Sequence, residues 1–261
     1  MAKSRKTTTP KKIIHEGSYA TDQERAAYDT LLDLSRRSPL PHKDILANTG
    51  LHTVRITFAR MQFMYQLYLK ALRTHGVIME FGVRWGNNLA LMTTFRTIHE
   101  PYNLSRRIIG FDTWKGFPSV RREDGTAHAA QVGALGVTPG YETYLSELLT
   151  AHEQLAPRSN IKKHELVKGN VMETLPKYLK DHPETIIALA YFDMDLYEPT
   201  KKCLELIRPH LVKNSVVGFD ELALAEFPGE TQALREAWGI ENFAIHRDPI
   251  SPQQSYIVVG E

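Results

Sequence analysis

From Gly76 to the C-terminus, short apolar runs alternate with stretches whose hydrophobic residues recur every three or four positions. Runs of the first kind read as strands and stretches of the second kind as helices, so the pattern predicts βαβ units around a doubly wound, mostly parallel α/β sheet. Seven strands are expected, at Val77 to Phe81, Arg107 to Asp112, Ile161 to Lys168, Ile186 to Asp193, Ser215 to Asp220, Asn242 to His246 and Ser255 to Val259. Helices are expected over 87–99, 141–155, 171–181, 197–211 and 229–238. Only Arg247 to Pro252, with Pro249 in between, separates the last two strands. That is too short for a crossover helix, so the pair should form an antiparallel hairpin.

Residues 21–75 read as a helical N-terminal extension packing on a core domain of residues 76–261. Val54, Phe58, Met61, Tyr65, Tyr68 and Leu72 are spaced by four and three, which puts them on one face of a long helix. Burial of that face against the domain, or against a second copy of the chain, is expected, and a homo-oligomer with it. Residues 1–20 read as a flexible basic terminus: Lys3, Arg5, Lys6, Lys11 and Lys12 are interrupted by Thr7, Thr8, Thr9 and Pro10.

Composition narrows the classes. With 42% hydrophobic residues, 261 positions suffice for one substantial core. A net charge of +2 provides no field suited to nucleic acid. The single cysteine, Cys203, excludes an intrachain disulfide and a cysteine metal cluster, which fits a reducing compartment. No apolar run approaches membrane length and no secretion signal is visible, so a cytoplasmic protein without a membrane partner is expected.

Ligands of open α/β sheets collect beyond the carboxyl ends of the strands, and five of these ends carry a polar signature. The first runs Glu80-Phe81-Gly82-Val83-Arg84-Trp85-Gly86 and then opens a helix. Such a turn lets backbone approach a ligand and offers free N–H groups to a carboxylate, although a tight turn alone would need the same glycines. Arg84 stands where a dinucleotide fingerprint has its second glycine. Asp112 ends the second strand, where it can accept from both ribose hydroxyls of a nucleoside cofactor or hold a turn. The third leads to Gly169-Asn170-Val171, where Asn170 can read an adenine edge and Val171 its face, or Asn170 can cap a helix. Asp193, with Asp195 two positions on, ends the fourth strand, and Asp220-Glu221 ends the fifth. Carboxylates of Asp193, Asp220 and Glu221 converging at one point call for a cation, and an all-oxygen cage suits Mg2+ or another divalent ion. Separate helix caps are the plainer alternative. Glu226 and Glu230 lie near the same end. A long glycine-rich connection between Asp112 and Tyr141 reads as a lid.

Phe111-Asp112-Thr113-Trp114-Lys115-Gly116-Phe117-Pro118 and Asp193-Met194-Asp195-Leu196-Tyr197-Glu198-Pro199-Thr200 resemble motifs of the macrocin O-methyltransferase-like family, sugar O-methyltransferases of antibiotic biosynthesis. The resemblance spans about residues 50–260. It implies a class I methyltransferase fold, S-adenosylmethionine as methyl donor, and a divalent cation held by Asp193, Asp220 and Glu221. Glu221 stands where the family often has aspartate. The donor-binding set it implies is Glu80, Phe81, Gly82, Gly86, Asn88, Asp112, Thr113, Gly169, Asn170, Val171 and Asp193. The acceptor would be a small-molecule glycoside or a nucleotide sugar. Catechol-type enzymes, which resemble this site, carry a lysine where this chain has Leu196, so Asp193 or Asp195 becomes the expected base, with His128 as an outside candidate. A small-molecule hydroxylase or nucleotide-dependent oxidoreductase on the same scaffold, and a non-enzymatic binding protein, are the competing readings.

Overall fold

The computed structural model describes residues 21–125, 130–251 and 253–261. His128 and the basic N-terminus lie outside them. The chain divides into two compact units between Arg55 and Ile56. In the first, α1 (Asp22–Arg36) opens with a capping box in which the Thr21 side chain accepts from the Glu24 N–H and Glu24 reaches back to Thr21. No residue of α1 is buried. Pro39 and Pro41 stop a helix from continuing, and 310 turns follow at His42–Asp44 and Leu46–His52.

The second unit begins on α2 (Arg55–Ala71), so the helical stretch 21–75 consists of α1, the two 310 turns and α2. Its buried face is Ala59, Phe63, Met64, Leu67, Tyr68 and Ala71. Of the predicted stripe only Tyr68 is buried, while Phe58 is 53% exposed. Two apolar stripes overlap on this helix, and the one carrying Phe63 and Leu67 meets the sheet. Tyr65, on the flank, instead stacks edge-on with Phe95 and hydrogen-bonds His99 at 3.0 Å.

The seven strands are β1 (Val77–Phe81), β2 (Ile108–Asp112), β3 (His164–Lys168), β4 (Ile187–Phe192), β5 (Leu211–Phe219), β6 (His246–Arg247) and β7 (Ser255–Val258). They lie in the order β3-β2-β1-β4-β5-β7-β6, parallel from β3 to β5 and antiparallel at β7 and β6. The connecting helices are α3 (Asn87–His99), α4 (Tyr141–Gln154), α5 (Val171–Asp181), α6 (Tyr197–Ile207) and α7 (Gly229–Trp238). Successive side chains of a strand point to opposite faces, and both faces are covered here. Met79, Phe81, Ile109, Phe111, Val217 and Phe219 pack with α5, α6 and α7, while Ile78, Ile108, Tyr191 and Val216 pack with α2, α3 and α4. Strands buried on both sides explain the unbroken apolar runs of the sequence.

The larger differences from the expected boundaries fall at β3, at the α6–β5 junction and at β6. β3 begins at His164 rather than Ile161, and β5 begins at Leu211 because α6 ends at Ile207 in a 310 turn that holds Pro209. The sixth strand is two residues long, since Ile240–Asn242 forms another 310 turn. Among the described residues, no helix is long and apolar enough to cross a membrane.

Candidate active site

A residue with left-handed backbone follows each of the five parallel strands within four positions: Gly82, Trp114, Gly169, Asp195 and Ala223. The chain therefore turns sharply at the whole carboxyl edge of the sheet. Gly82 takes φ +91°, and a Cβ there would lie 1.9 Å from the carbonyl oxygen of Asp193. Only glycine lets the β1 turn come so close to the end of β4. Gly86, at φ +77°, sits against Leu145, which a side chain would meet at 2.4 Å. Phe81 is fully buried, stacked between Phe111 and Phe192, and supports the turn from below.

Glu80 is 3% exposed. Asn88 Nδ2 donates to its Oε1 at 2.7 Å, while its Oε2 is buried without a partner. Burial pushes the carboxyl up to about 8, against the opposing pull of the Asn88 hydrogen bond. Asp112 works as a clamp: Oδ2 accepts from the N–H groups of Val83 and Arg84 at 2.8 Å each, and Oδ1 accepts from that of Trp114 at 2.5 Å. It thereby ties the β1 turn to the segment after β2. Thr113 Oγ1 donates to the Gly116 carbonyl at 2.8 Å, and Trp114, buried, donates from Nε1 to the Arg84 carbonyl at 3.1 Å. Trp114 is thus an anchor for the long connection.

At β3, Asn170 accepts from the Met172 N–H at 3.1 Å and caps α5, while Val171 is buried in the core. The cap was one of the two sequence readings, and here it occupies the Asn170 oxygen. A pocket of about 430 Å3 nevertheless opens at this edge, walled by Thr113, Gly116, Phe117, Lys168, Gly169 and Asn170.

The acids meet where β4 and β5 end side by side. One oxygen from each of Asp193, Asp195 and Glu221 lies within 4.8 Å of the others. This convergent trio differs from the expected Asp193, Asp220 and Glu221, because Asp220 is engaged elsewhere. Its Oδ1 accepts from Tyr191 Oη at 2.6 Å, from Gln254 Nε2 at 3.0 Å and from Arg60 Nη1 at 2.9 Å. The Arg60 Nη2 group also pairs with Asp193 Oδ2. Burial alone would raise the Asp220 carboxyl, but Arg60 and hydrogen bonds from Glu221, Tyr191 and Gln254 hold it below its ordinary value. The other acids shift the opposite way. Burial and then the Asp220 charge raise Asp195 to about 6 and push Asp193 and Glu221 well up. Glu221 is 6% exposed and its Oε2 has no partner, and Glu230 behind it accepts from the Glu221 N–H at 3.0 Å with a second oxygen orphaned. A single arginine against five buried or half-buried carboxylates leaves room for another cation.

Sequence reasoning missed Arg60, Gln254 and Asp124, which lie outside every strand-end motif. Asp124, from the long connection, is buried and accepts from the Tyr197 N–H at 2.6 Å, so it caps α6 directly after the acid-bearing turn. Arg121 pairs with Glu198 beside it. The described part of the connection is also held by backbone bonds, from the Gly133 N–H to the Phe117 carbonyl at 2.9 Å and from the Phe117 N–H to the Ala134 carbonyl at 3.0 Å.

The sheet order, the antiparallel hairpin, the β1 turn and the acidic edge together define a class I methyltransferase. A crystal structure of CalS11, a calicheamicin methyltransferase, is 41% identical over 93% of this chain and 95% of that one, with a TM-score of 0.91. An apo structure of CalS11, described as a TDP-rhamnose 3'-O-methyltransferase of calicheamicin biosynthesis, is 38% identical over 93% and 97%, with a TM-score of 0.83. The chain belongs to this family, the S-adenosylmethionine-dependent sugar O-methyltransferases. The O-methyltransferase NovP, 18% identical over 90% of this chain and 98% of its own with a TM-score of 0.58, shares the fold. No family model and no curated protein matches the chain.

Proposed function

We propose that this methyltransferase moves the methyl group of S-adenosylmethionine onto a sugar hydroxyl of a nucleotide sugar or natural-product glycoside in antibiotic biosynthesis, assisted by a divalent cation such as Mg2+. The observation that carries the reading is the acid cluster at the ends of β4 and β5, one backbone contact away from the donor turn, in a chain so similar to a calicheamicin methyltransferase. CalS11 acts on a TDP-rhamnose according to its description, so thymidine diphosphate deoxysugars are the first acceptors to try.

Donor binding is assigned to Glu80, Gly82, Gly86 and Asn88 at the turn, to Asp112 that clamps it, and to Thr113, Gly169 and Asn170 around the pocket. Phe81 and Val171 act from the core beneath. The partnerless Oε2 of Glu80 fits an ammonium group, and the α3 N-terminus fits a carboxylate. The orphaned Glu221 Oε2 and the all-oxygen donor set fit a hard cation. Asp193, Asp220 and Glu221 are the assigned ligands. A cation held there lowers the pKa of an acceptor hydroxyl. Methyl transfer from a sulfonium is an in-line displacement, so the remaining tasks are orientation and proton removal. Asp195, which converges with Asp193 and Glu221 at the strand end, is assigned as the base that takes that proton.

The test offers the full chain labelled S-adenosylmethionine, Mg2+ and a panel of TDP-deoxysugars and finished deoxysugar glycosides, with products read by mass spectrometry. A gain of one methyl, lost after exhaustive chelation and restored by Mg2+, is expected. No transfer to any member of the panel would refute the acceptor class, and transfer indifferent to chelation would refute the cation.

A further inference from the structure

Arg60 stands at the centre of the acid cluster although it comes from α2, on the opposite side of the chain's sequence from β4 and β5. Its guanidinium reaches across two carboxylates at once, Nη2 to Asp193 and Nη1 to both oxygens of Asp220, at 2.9 and 3.1 Å. The guanidinium carbon also lies 6.0 Å from the centre of the Tyr191 ring, whose hydroxyl donates to the same Asp220. The arginine side chain is 26% exposed, so a path to solvent exists. Beside this bridge, one oxygen each of Asp193, Asp195 and Glu221 converge within 4.8 Å of one another, and Glu221 keeps its buried Oε2 unpaired.

We propose that Arg60 is the resident counter-cation of the metal-free site and a competitor of the divalent ion, which displaces it from Asp193 and thereby frees Asp193 and Asp220 to join Glu221. The proposal rests on the cation reading given above. Two physical points support it. A divalent ion and a guanidinium cannot share the oxygens of Asp193 without placing three positive charges within a few ångströms in a low-dielectric edge. The metal-free cluster, in turn, would hold several uncompensated buried carboxylates if Arg60 were absent. The bridge therefore lets the apo protein keep its sheet edge in shape while reserving the site. Arg60 is a positioning residue on this view, acting through Asp193 and Asp220.

Calorimetric titration of the full-length protein with Mg2+, donor and acceptor absent, compares the wild type with Arg60→Gln. The variant should bind Mg2+ about tenfold more tightly or better, because no ion pair has to be broken first. Its melting temperature without metal should fall below that of the wild type, and Mg2+ should raise it by a larger increment. Arg60→Lys, which keeps the charge but lacks the fork that bridges two carboxylates, should fall between the two, and it carries the comparison if Arg60→Gln proves too unstable to purify. Unchanged or weaker Mg2+ binding by the variants, with normal binding by the wild type, overturns the competition alone. Absence of binding by every protein overturns the cation reading and the displacement with it.

Discussion

Glu80→Gln isolates the most heavily desolvated carboxyl of the donor turn. Glu80 titrates near 8 in the folded protein because burial outweighs its bond from Asn88, whereas in the unfolded chain it titrates near the ordinary 4.5. Between those values the folded state holds a proton that the unfolded state has released. Stability therefore falls as pH rises through this window, by up to about 1.4 kcal/mol per pH unit from this group. Below the window both states are protonated, and above it both are ionised, so the contribution is flat at either end. Glutamine keeps the shape and the acceptor for Asn88 but cannot ionise. Urea unfolding at intervals from pH 5 to 8.5, without donor, should show the wild type losing a few kcal/mol more than the variant across the range. The Glu80 charge also acts on Asp193, so the difference between the two curves belongs to Glu80 together with its effect on that neighbour. Parallel curves would show that Glu80 is not a buried neutral acid in the donor-free protein and would refute the burial argument.

Other substitutions address the seams of the site. Gly82→Ala forces a Cβ into the Asp193 carbonyl at a left-handed φ; a loss of about 3 kcal/mol or more in denaturant unfolding is expected, and a neutral result would mean that β1 and β4 are not held this closely. Asp124→Ala should destabilise by about 1–2 kcal/mol through the lost cap on Tyr197 and lower kcat more than it raises KM, with Asp124→Asn restoring both. Equal kinetics for the alanine and asparagine variants would disconnect the cap from catalysis.

The fold was legible because the central strands β1, β2 and β4 are buried on both faces and the helices between strands are bounded by turns. The element order, the seven strands and the final hairpin follow from those two periodicities. The short sixth strand was not legible, since edge pairing depends on a partner rather than on composition. The α2 face was misread because two apolar stripes overlap on it and only the sheet selects between them. Within the site, Asp193, Asp195 and Glu221 announced themselves as acids at strand ends. Arg60 and Asp124 gave no local signal: each is an ordinary charged residue whose partners stand 133 and 73 positions away in the chain. Residues that already had a polar reading, such as Asn170 and Asp112, proved to spend their hydrogen bonds on holding the turns together, which spacing alone does not reveal.

The contact between the Gly82 backbone and the Asp193 carbonyl bears on how such an enzyme can be redesigned. Donor turn and acid turn touch through main chain, with no side chain to swap, so a shift of one is imposed on the other. Changes meant to admit a bulkier group at the β1 turn should therefore disturb the acidic edge as well, and neither turn can be reshaped alone.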